Sequence, residues 1–300
     1  MANRVLIDDE TISLLEGRDL NIRALMDGLF GGSRPSPYFG SSMEFADYRD
    51  YVPGDDVRRI DWNLYGRTDK LYVKLFTDER RQHHRVYIDC SASMAWGSPE
   101  KHLTALRLAA AIGYLAVSGT DRISWYALEK KNCRRVTESV SSRDRLLAQL
   151  DRLAALRCGG DTCLDEAVMR CPDPGYHDGV SFLISDFLTD GNWKAAVDWL
   201  LGRKREVCLI QVLSRDETGP SANGRLRFMD TEAETEEDVR NLRMEVGRRR
   251  LQAYAEAYRW LISDIEAFAE SRGVRYMQAP AEVPVSRLLF ERGIRTEMIR

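Results

Sequence analysis

From residue 85 onward, short apolar runs alternate with longer amphipathic stretches. The short runs are rich in Val, Ile and Leu and predict buried strands, whereas apolar residues at every third or fourth position predict helices. This alternation is typical of an α/β fold with a doubly wound, mostly parallel, Rossmann-like sheet. The predicted strands lie at 86–88, 122–128, 132–137 (an edge strand), 180–186, 205–213 and 274–278. The predicted helices lie at 99–118, 142–153, 163–170, 192–201 and 285–292, with a long helix whose apolar stripe is assigned to the core between residues 251 and 268.

The first 82 residues lack this alternation. We predict that residues 1–82 form a small N-terminal module and that residues 83–300 form the doubly wound domain. Within the module, a short helix is predicted at 9–17, because acidic residues fill its first turn and Gly17 ends it. A strand is predicted at 71–76 from alternating apolar residues.

Polar residues follow the first predicted strand at alternate positions: Asp89, Ser91 and Ser93. Side chains that leave the carboxyl end of a central strand converge on the usual ligand crevice of open α/β sheets. One carboxylate and two hydroxyls form an all-oxygen set that suits Mg²⁺, which prefers octahedral oxygen and often takes only one or two protein carboxylates. The set is incomplete, so we expect further ligands.

Two later stretches can complete the set. The glycine-rich turn at 159–162 offers the hydroxyl of Thr162, and the strand pattern at 180–186 ends in the carboxylate of Asp186. The sequence therefore predicts a site for Mg²⁺ or Mn²⁺, held directly or through water by Asp89, Ser91, Ser93, Thr162 and Asp186. The alternative stays open that these residues only cap turns of their own backbone.

These five residues resemble, in order and in context, the metal-ion-dependent adhesion site of von Willebrand factor A domains. The resemblance implies a von Willebrand factor A-like (vWA-like) sheet. It also implies that the metal keeps one open position, which a carboxylate from a partner protein fills. The implied function is metal-dependent protein–protein interaction.

The most distinctive stretch, residues 45–62, reads FADYRDYVPGDDVRRIDW. Pro53 and Gly54 predict a turn, since Pro fixes φ at one central position and Gly supplies a positive φ at the next. Asp55 or Asp56 is predicted to cap a short helix. The stretch is therefore expected to form a rigid, polar-capped turn.

Two further features of this stretch fit a rigid turn. Arg58 and Asp61 lie three positions apart, within reach of an ion pair. The residues expected to pack beneath the turn are Tyr48, Tyr51, Ile60 and Trp62. We favour the rigid turn over a catalytic pair of acids.

This stretch resembles the bacterial family DUF58 through the pattern Tyr-x-Pro-Gly-Asp-Asp-x-Arg-x-Ile-Asp-Trp at 51–62. Further similar positions are Ser36, Gly40, Glu44, Phe45, Arg67, Thr68, Asp69, Val73, Lys74, Phe76 and Glu79. The resemblance implies an A-domain core preceded by an added module of unknown role. Genes of this family often neighbour those of MoxR-type AAA+ ATPases, which implies such an ATPase as partner and an adaptor or chaperone-like role. Some members have membrane-spanning N-terminal hairpins, and this sequence shows none.

Composition narrows the classes of function. The chain is 44% hydrophobic and 30% charged, as in ordinary globular proteins, and its formal charge of −3 gives no electrostatic footprint for nucleic acid. The first ten residues lack the apolar core of a signal peptide, and the longest apolar run, 108–117, is shorter than the roughly 20 residues that cross a bilayer. The six cysteines form no Cys-x-x-Cys pair and are expected to be free thiols. We expect a soluble, cytoplasmic protein.

The sequence lacks the motifs of several common classes of enzyme. A haloacid-dehalogenase-type phosphatase needs a second carboxylate two positions after its nucleophilic Asp, and that position is Ser91. Neither a Gly-x-x-x-x-Gly-Lys-Ser/Thr phosphate loop nor a Gly-x-Ser-x-Gly elbow is present. We expect a binding module and not an enzyme. The alternatives are a metal-dependent hydrolase or phosphatase, and a scaffold with a vestigial metal site.

Overall fold

The computed structural model describes residues 6–16, 43–78, 81–97, 101–176, 178–189, 191–219, 224–228, 242–296 and 298. The chain divides into two compact units, one made of residues 1–26 and 82–300 and the other of residues 27–81. The larger unit begins with helix α1 (Asp9–Leu15). Asp8 caps this helix, because its carboxylate accepts a hydrogen bond of 2.7 Å from the N–H of Thr11.

The start of the chain groups differently from the predicted module of residues 1–82. The described residues 6–16 lie in the larger unit. Leu6, Ile7 and Leu15 are buried in the hydrophobic core of that unit. Burial of three large apolar side chains accounts for this grouping, and so short a stretch carries no repeating pattern that would have predicted it.

The smaller unit contains strands β1 (Met43–Asp50) and β2 (Tyr72–Asp78), which pair in antiparallel fashion, a 3-10 turn (Val57–Arg59) and helix α2 (Trp62–Thr68). The predicted Pro-Gly turn is present: Gly54 has a φ of +110°, and the N–H of Asp55 donates to the carbonyl of Val52 at 3.0 Å. Asp56 caps the 3-10 turn by accepting from the N–H of Arg58 at 3.0 Å.

The carboxylate of Asp61 makes several contacts within the segment that connects β1 to β2. It caps α2, accepts a hydrogen bond of 2.8 Å from the hydroxyl of Tyr48, and pairs with the ammonium of Lys74 at 3.0 Å. Lys74 and Tyr48 lower the pKa of Asp61 to about 2. Tyr48 and Lys74 face each other across β1 and β2, so the strand pairing supplies the cation. The predicted pairing of Asp61 with Arg58 is therefore wrong.

Two aromatic residues of this segment, Trp62 and Tyr48, are not packed beneath the turn. Trp62 is 59% exposed and Tyr48 is 39% exposed, whereas Ile60 is 6% exposed. Two strands and one short helix offer too little surface to cover a Trp. The prediction that these residues pack together is wrong for Trp62 and Tyr48.

The larger unit is built on a six-stranded sheet. Its strands are β3 (His83–Asp89), β4 (Arg122–Glu129), β5 (Asn132–Arg135), β6 (Val180–Ser185), β7 (Glu206–Leu213) and β10 (Arg275–Pro280). Strands β8 (Gly224–Phe228) and β9 (Leu242–Val246) form a separate antiparallel pair between β7 and β10 in the sequence. Its helices after α1 are α3 (Lys101–Ser118), α4 (Arg143–Ala154), α5 (Leu164–Met169), α6 (Trp193–Gly202), α7 (Arg215–Thr218), α8 (Arg248–Arg272) and α9 (Val285–Arg287), which continues as a π-helical turn (Leu288–Gly293). A 3-10 turn (Ala92–Ala95) follows β3.

The strand order in this sheet is β10-β7-β6-β3-β4-β5, and all neighbours are parallel except β4 and β5. This is the doubly wound arrangement, in which the first strand of the sheet lies between the second and the fourth. It confirms the predicted α/β, vWA-like fold, and the predicted edge strand is β5, which pairs with β4 in antiparallel fashion. The strand order reverses between β3 and β6, which is where such sheets bind ligands.

Both faces of the sheet are covered. Val86 and Ile88 belong to one hydrophobic cluster and Tyr87 to the other, as expected for side chains that alternate along a strand. The first cluster includes residues of α1, α3, α4 and α9, and the second includes residues of α5, α6 and α8. Because the faces are filled by apolar groups, the ends of the strands are where polar side chains gather.

Helix α8 is covered only toward its C-terminal end. Ile265 and Ala269 are its buried residues, and Tyr254 is 41% exposed. Its 25 residues extend about 37 Å, whereas the six residues of β10 span about 20 Å, so the first half of the helix continues past the strand. The predicted assignment of the whole stripe to the core is wrong for this half.

No helix within the described ranges is long and apolar enough to cross a membrane.

Candidate functional site

The carboxyl ends of β3 and β6 carry a cluster of buried polar side chains. Asp89 is the last residue of β3, and Asp186 directly follows the last residue of β6. Because the two strands are parallel neighbours, both carboxylates reach the same edge of the sheet, at the point where the strand order reverses. Each residue is 1% exposed.

Asp89 is held by hydrogen bonds to both oxygens. Its Oδ1 accepts from the N–H of Ser91 at 2.9 Å, and its Oδ2 accepts from the hydroxyl of Ser185 at 2.6 Å. Burial and the negative charge of Asp186 raise the pKa of Asp89 to about 6. Two buried carboxylates at one strand edge repel each other, and a cation there would relieve that repulsion.

The 3-10 turn after β3 presents two hydroxyls. Ser91 Oγ and Ser93 Oγ lie 2.9 Å apart, within hydrogen-bond distance. The N–H of Ala92 donates to the carbonyl of Gly160 at 2.8 Å, which holds the glycine-rich turn against the serine turn. Gly160 has a φ of +76°, a conformation that favours glycine. The segment that leads to Thr162 is thereby placed beside the end of β3.

Thr162 carries a buried hydroxyl that no other protein group in the described part of the chain satisfies. It is 2% exposed, and its Oγ1 has no hydrogen-bond partner. Its backbone is fixed, because its carbonyl accepts from the hydroxyl of Thr189 at 2.8 Å. A buried hydroxyl without a partner costs about 1–3 kcal/mol, so this position indicates a ligand.

Asp186 is fixed from three directions. Its Oδ1 accepts from the N–H of Leu188 at 2.9 Å, and its carbonyl accepts from the side chain of Gln211 at 3.1 Å. Its Oδ2 accepts from the ammonium of Lys101 at 2.6 Å. The carboxylate therefore keeps its position without a metal.

Lys101 and Glu217 are site residues that the sequence analysis missed. Lys101, the first residue of α3, is fully buried and pairs with both Asp186 and Glu217. Although burial lowers the pKa of Lys101, Asp186 and Glu217 raise it overall, so the ammonium is charged at neutral pH. Glu217 also accepts from the N–H of Ser214 at 2.9 Å in a capping box directly after β7. The Ser-x-x-Glu spacing was a readable signal of this cap, whereas no pattern marks Lys101.

The charges of this cluster are not balanced. Asp89, Asp186 and Glu217 supply three buried carboxylates and Lys101 one ammonium, a formal net charge of −2. Buried charge without compensation is costly, and one divalent cation would balance it. Within the described ranges no group of three or more His, Cys, Asp or Glu is arranged to hold a metal. The serine and threonine hydroxyls are therefore essential to the fit, and their oxygens are suited to Mg²⁺.

The structure brings the predicted site residues into one neighbourhood. Asp89, Ser91 and Ser93 are linked by hydrogen bonds. Asp186 interacts electrostatically with Asp89, and Thr162 lies on the loop that is bonded to the serine turn. These residues fit a divalent cation in donor chemistry and in charge.

The chain has relatives of unassigned function. An uncharacterized protein of Mycobacterium bovis is 29% identical to it over 215 residues, which cover 69% of this chain and 67% of the relative. Among solved structures, the conserved hypothetical protein BatB of Bacteroides thetaiotaomicron shares 13% identity with a TM-score of 0.40, over 72% of this chain and 96% of that one. A von Willebrand factor type A protein of Catenulispora acidiphila shares 12% identity with a TM-score of 0.40, over 87% of this chain and 52% of that one. At these scores the fold assignment rests on the strand order alone.

A protein-family model shows to which family the chain belongs. The model described as "Protein of unknown function DUF58" matches residues 47–259, more than half of the chain. The matched range contains the 51–62 pattern and every residue of the polar cluster. The chain therefore belongs to the DUF58 family.

Proposed function

We propose that this protein is a metal-dependent protein-interaction module. The residues that would hold Mg²⁺ or Mn²⁺ are Asp89, Ser91, Ser93, Thr162 and Asp186. The observation that carries the proposal is the buried, unpartnered Oγ1 of Thr162, beside a buried cluster with a net charge of −2. A divalent cation would supply both the missing partner and the missing charge.

A partner protein would complete the site with a carboxylate. Three hydroxyls and two carboxylates do not fill all six coordination positions of an octahedral dication, so water fills the rest. An Asp or Glu of the partner can replace one such water and gain a charge-assisted contact. The contribution of this chain is to hold Asp89 and Asp186 rigidly, through Ser185 and Leu188, so that the site is organised before the partner arrives. Specificity would then come from the surface around the site.

The partner that we propose is a MoxR-type AAA+ ATPase, because DUF58 genes often neighbour the genes of such ATPases. This chain would act as its adaptor or chaperone-like accessory. The nucleotide chemistry would belong to the ATPase, in keeping with the lack of a phosphate-binding loop in the sequence. We propose no catalytic activity for the chain itself.

A second candidate function is favoured by one observation. The ammonium of Lys101 lies 2.6 Å from Asp186 Oδ2 and already neutralises part of the cluster. A scaffold that binds its partner without metal would use Lys101 as its permanent cation. The two functions differ in whether partner binding needs a divalent cation.

The test is a pull-down of the purified ATPase by the tagged chain, in Mg²⁺ and in chelator. We expect binding in Mg²⁺, loss of binding in chelator, and loss in Ser91→Ala and Thr162→Val. The matched control is Ser271→Ala, which removes an exposed hydroxyl that donates only to the carbonyl of Phe268. This variant should bind like the unchanged chain.

Binding that survives both chelation and the two site substitutions would reject the metal-dependent function and favour the scaffold. Absence of binding in every condition, while the isolated chain still binds Mn²⁺, would reject the ATPase as partner. It would leave the metal site intact as a proposal.

A further inference from the structure

We infer that Lys101 and Glu217 form a second layer of the candidate metal site, in which Lys101 weakens and Glu217 strengthens the binding of a divalent cation. The inference rests on the proposed metal site. It concerns residues that lie behind the predicted ligands and not among them. Their role would be to set how tightly the site holds its cation.

The contacts place Lys101 between two acids. Lys101 is fully buried, and its Nζ lies 2.6 Å from Asp186 Oδ2 and also contacts Glu217 Oε1. Glu217 is 7% exposed and is fixed by its second oxygen, which accepts from the N–H of Ser214. A buried ammonium persists only when it is paired. These contacts supply that pairing, so Lys101 is a fixed charge and not a mobile surface side chain.

Charge and position together give Lys101 its effect on a cation. The ammonium competes with a dication for the negative charge of Asp186, and it also repels the dication directly. Both effects weaken metal binding. In the absence of metal, the same ammonium keeps Asp186 from standing unpaired in the protein interior.

Glu217 has the opposite effect. It shares the ammonium of Lys101 and neutralises it, so Asp186 keeps more of its charge for a cation. Lys101 and Glu217 together contribute no net charge, and Asp89 with Asp186 then balances one dication. The site is thus built to stay folded without metal and to release metal readily, as a reversible docking site requires.

The experiment is a titration of the metal-stripped full chain with Mn²⁺ by calorimetry. Lys101→Met should bind Mn²⁺ at least about tenfold more tightly than the unchanged chain, because a positive charge is removed from a buried site. Glu217→Gln should bind at least about tenfold more weakly, because a negative charge is removed from the same site. The matched control is Lys131→Met, which removes an exposed ammonium paired with Glu166 and should leave the affinity unchanged.

A thermal melt of each variant with and without Mn²⁺ gives a second readout. Lys101→Met should melt at a lower temperature than the unchanged chain without metal and should recover more of its stability in Mn²⁺ than Lys131→Met does. If Lys101→Met does not fold, Glu217→Gln decides, since it keeps the ammonium paired with Asp186. Equal affinity of Glu217→Gln and the unchanged chain would overturn the inference.

The outcome also separates this inference from the proposed function. If the unchanged chain binds no Mn²⁺ but Lys101→Met does, Lys101 occupies the role of the metal in the native protein. The role of Lys101 would then stand, and the metal-dependent function would fail. If neither the unchanged chain nor any variant binds Mn²⁺, both fail.

Discussion

The two ends of the parallel strands in the larger unit both bury charged side chains, but they balance them differently. Toward the amino ends, Arg85 and Arg205 are each 2% exposed and face the carboxylates of Asp173 and Asp178. Every guanidinium nitrogen of both arginines has an acceptor. Arg135, which is 33% exposed, also pairs with Asp173 at 3.4 Å, so the negative charges at this end are fully compensated.

The carboxyl ends are organised in the opposite way. Three carboxylates meet a single ammonium, that of Lys101, and the hydroxyl of Thr162 has no partner. The two ends also differ in access to water, because the side chains of Asp173 and Asp178 are 39% and 35% exposed whereas Asp89 and Asp186 are each 1% exposed. The difference teaches that a surplus of buried negative charge, and not the burial of charged groups as such, marks the candidate ligand site of this sheet.

The largest loss of stability should come from removing a buried arginine at the amino ends of the strands, where the charges are balanced. Arg85→Met leaves Asp173 and Asp178 with fewer positive partners and should destabilise the fold by up to about 3 kcal/mol, the lower end of the cost of breaking a buried pair, because the two acids are partly solvated. Unfolding in urea measures the loss. Arg272→Met, at the exposed pair with Asp198, should cost much less, because water screens an ion pair at the surface. Equal losses in the two variants would mean that the buried network contributes no more than a surface pair.

The balanced end should also give the protein an acid-sensitive stability. Burial, and then the charge of Arg85, lowers the pKa of His83 to about 4, from an ordinary value of 6.5. The unfolded chain therefore binds a proton more readily than the folded one, and stability is lost as pH falls below 6.5. Between about pH 7.5 and pH 5 the loss through His83 should be about 2 kcal/mol.

His83→Gln tests this dependence, because Gln can still bond to Ser124, which lies 2.9 Å from the His83 ring nitrogen. Urea unfolding at the two pH values should show a smaller loss in this variant than in the unchanged chain. An identical loss would assign the acid sensitivity to other groups, among them the buried His84.

The unbalanced end should respond to substitution in a way that depends on metal. Thr162→Val removes the unpartnered hydroxyl at nearly constant shape, so in chelator it should leave stability unchanged or raise it by up to about 1 kcal/mol. In Mg²⁺ at about 100 times Kd, where metal binding stabilises the unchanged chain by about 2.7 kcal/mol, the same substitution should be destabilising relative to the unchanged chain. Thermal melts in both buffers show the change of sign.

The control for this substitution is Thr104→Val, because the hydroxyl of Thr104 donates to the carbonyl of Ala281 at 3.3 Å. It should cost about 1 kcal/mol in both buffers. A Thr162→Val variant that behaves like Thr104→Val would mean that the Thr162 hydroxyl has an ordinary protein partner in solution.

The smallest expected effect is the stabilisation by metal itself. At a Mg²⁺ concentration equal to Kd, the gain is about 0.4 kcal/mol, since a ligand stabilises by RT ln(1 + [L]/Kd). Asp89→Asn should remove this gain and leave the fold intact. A larger shift that persists in Asp89→Asn would place the stabilising cation elsewhere.

The sequence predicted the architecture of the larger unit well, because its signals are local. Apolar runs such as 86–88 predict strands, and their alternation with amphipathic stretches predicts a doubly wound sheet. The polar residues at the strand ends follow from the same pattern, since a strand that stops at Asp89 places its last carboxylate at the sheet edge.

The features that escaped prediction depend on contacts between distant parts of the chain. Lys101 and Glu217 meet only because α3 and α7 both reach the carboxyl end of the sheet, and no spacing records this. Lys74 reaches Asp61 through the pairing of β1 with β2, whereas sequence distance favoured Arg58. Local patterns give elements and their ends, and charge partners come from the tertiary structure.

The most direct measurement of the central claim is anomalous diffraction from a crystal of the full chain grown with Mn²⁺. We predict one peak at the carboxyl ends of β3 and β6, at about 2.1–2.3 Å from one or more oxygens of Asp89, Ser91, Ser93 and Thr162. Lys101 should remain paired with Asp186 and Glu217 beside it. The contradicting result is a crystal without Mn²⁺ at this position, in which a water or another protein group bonds to Thr162 Oγ1.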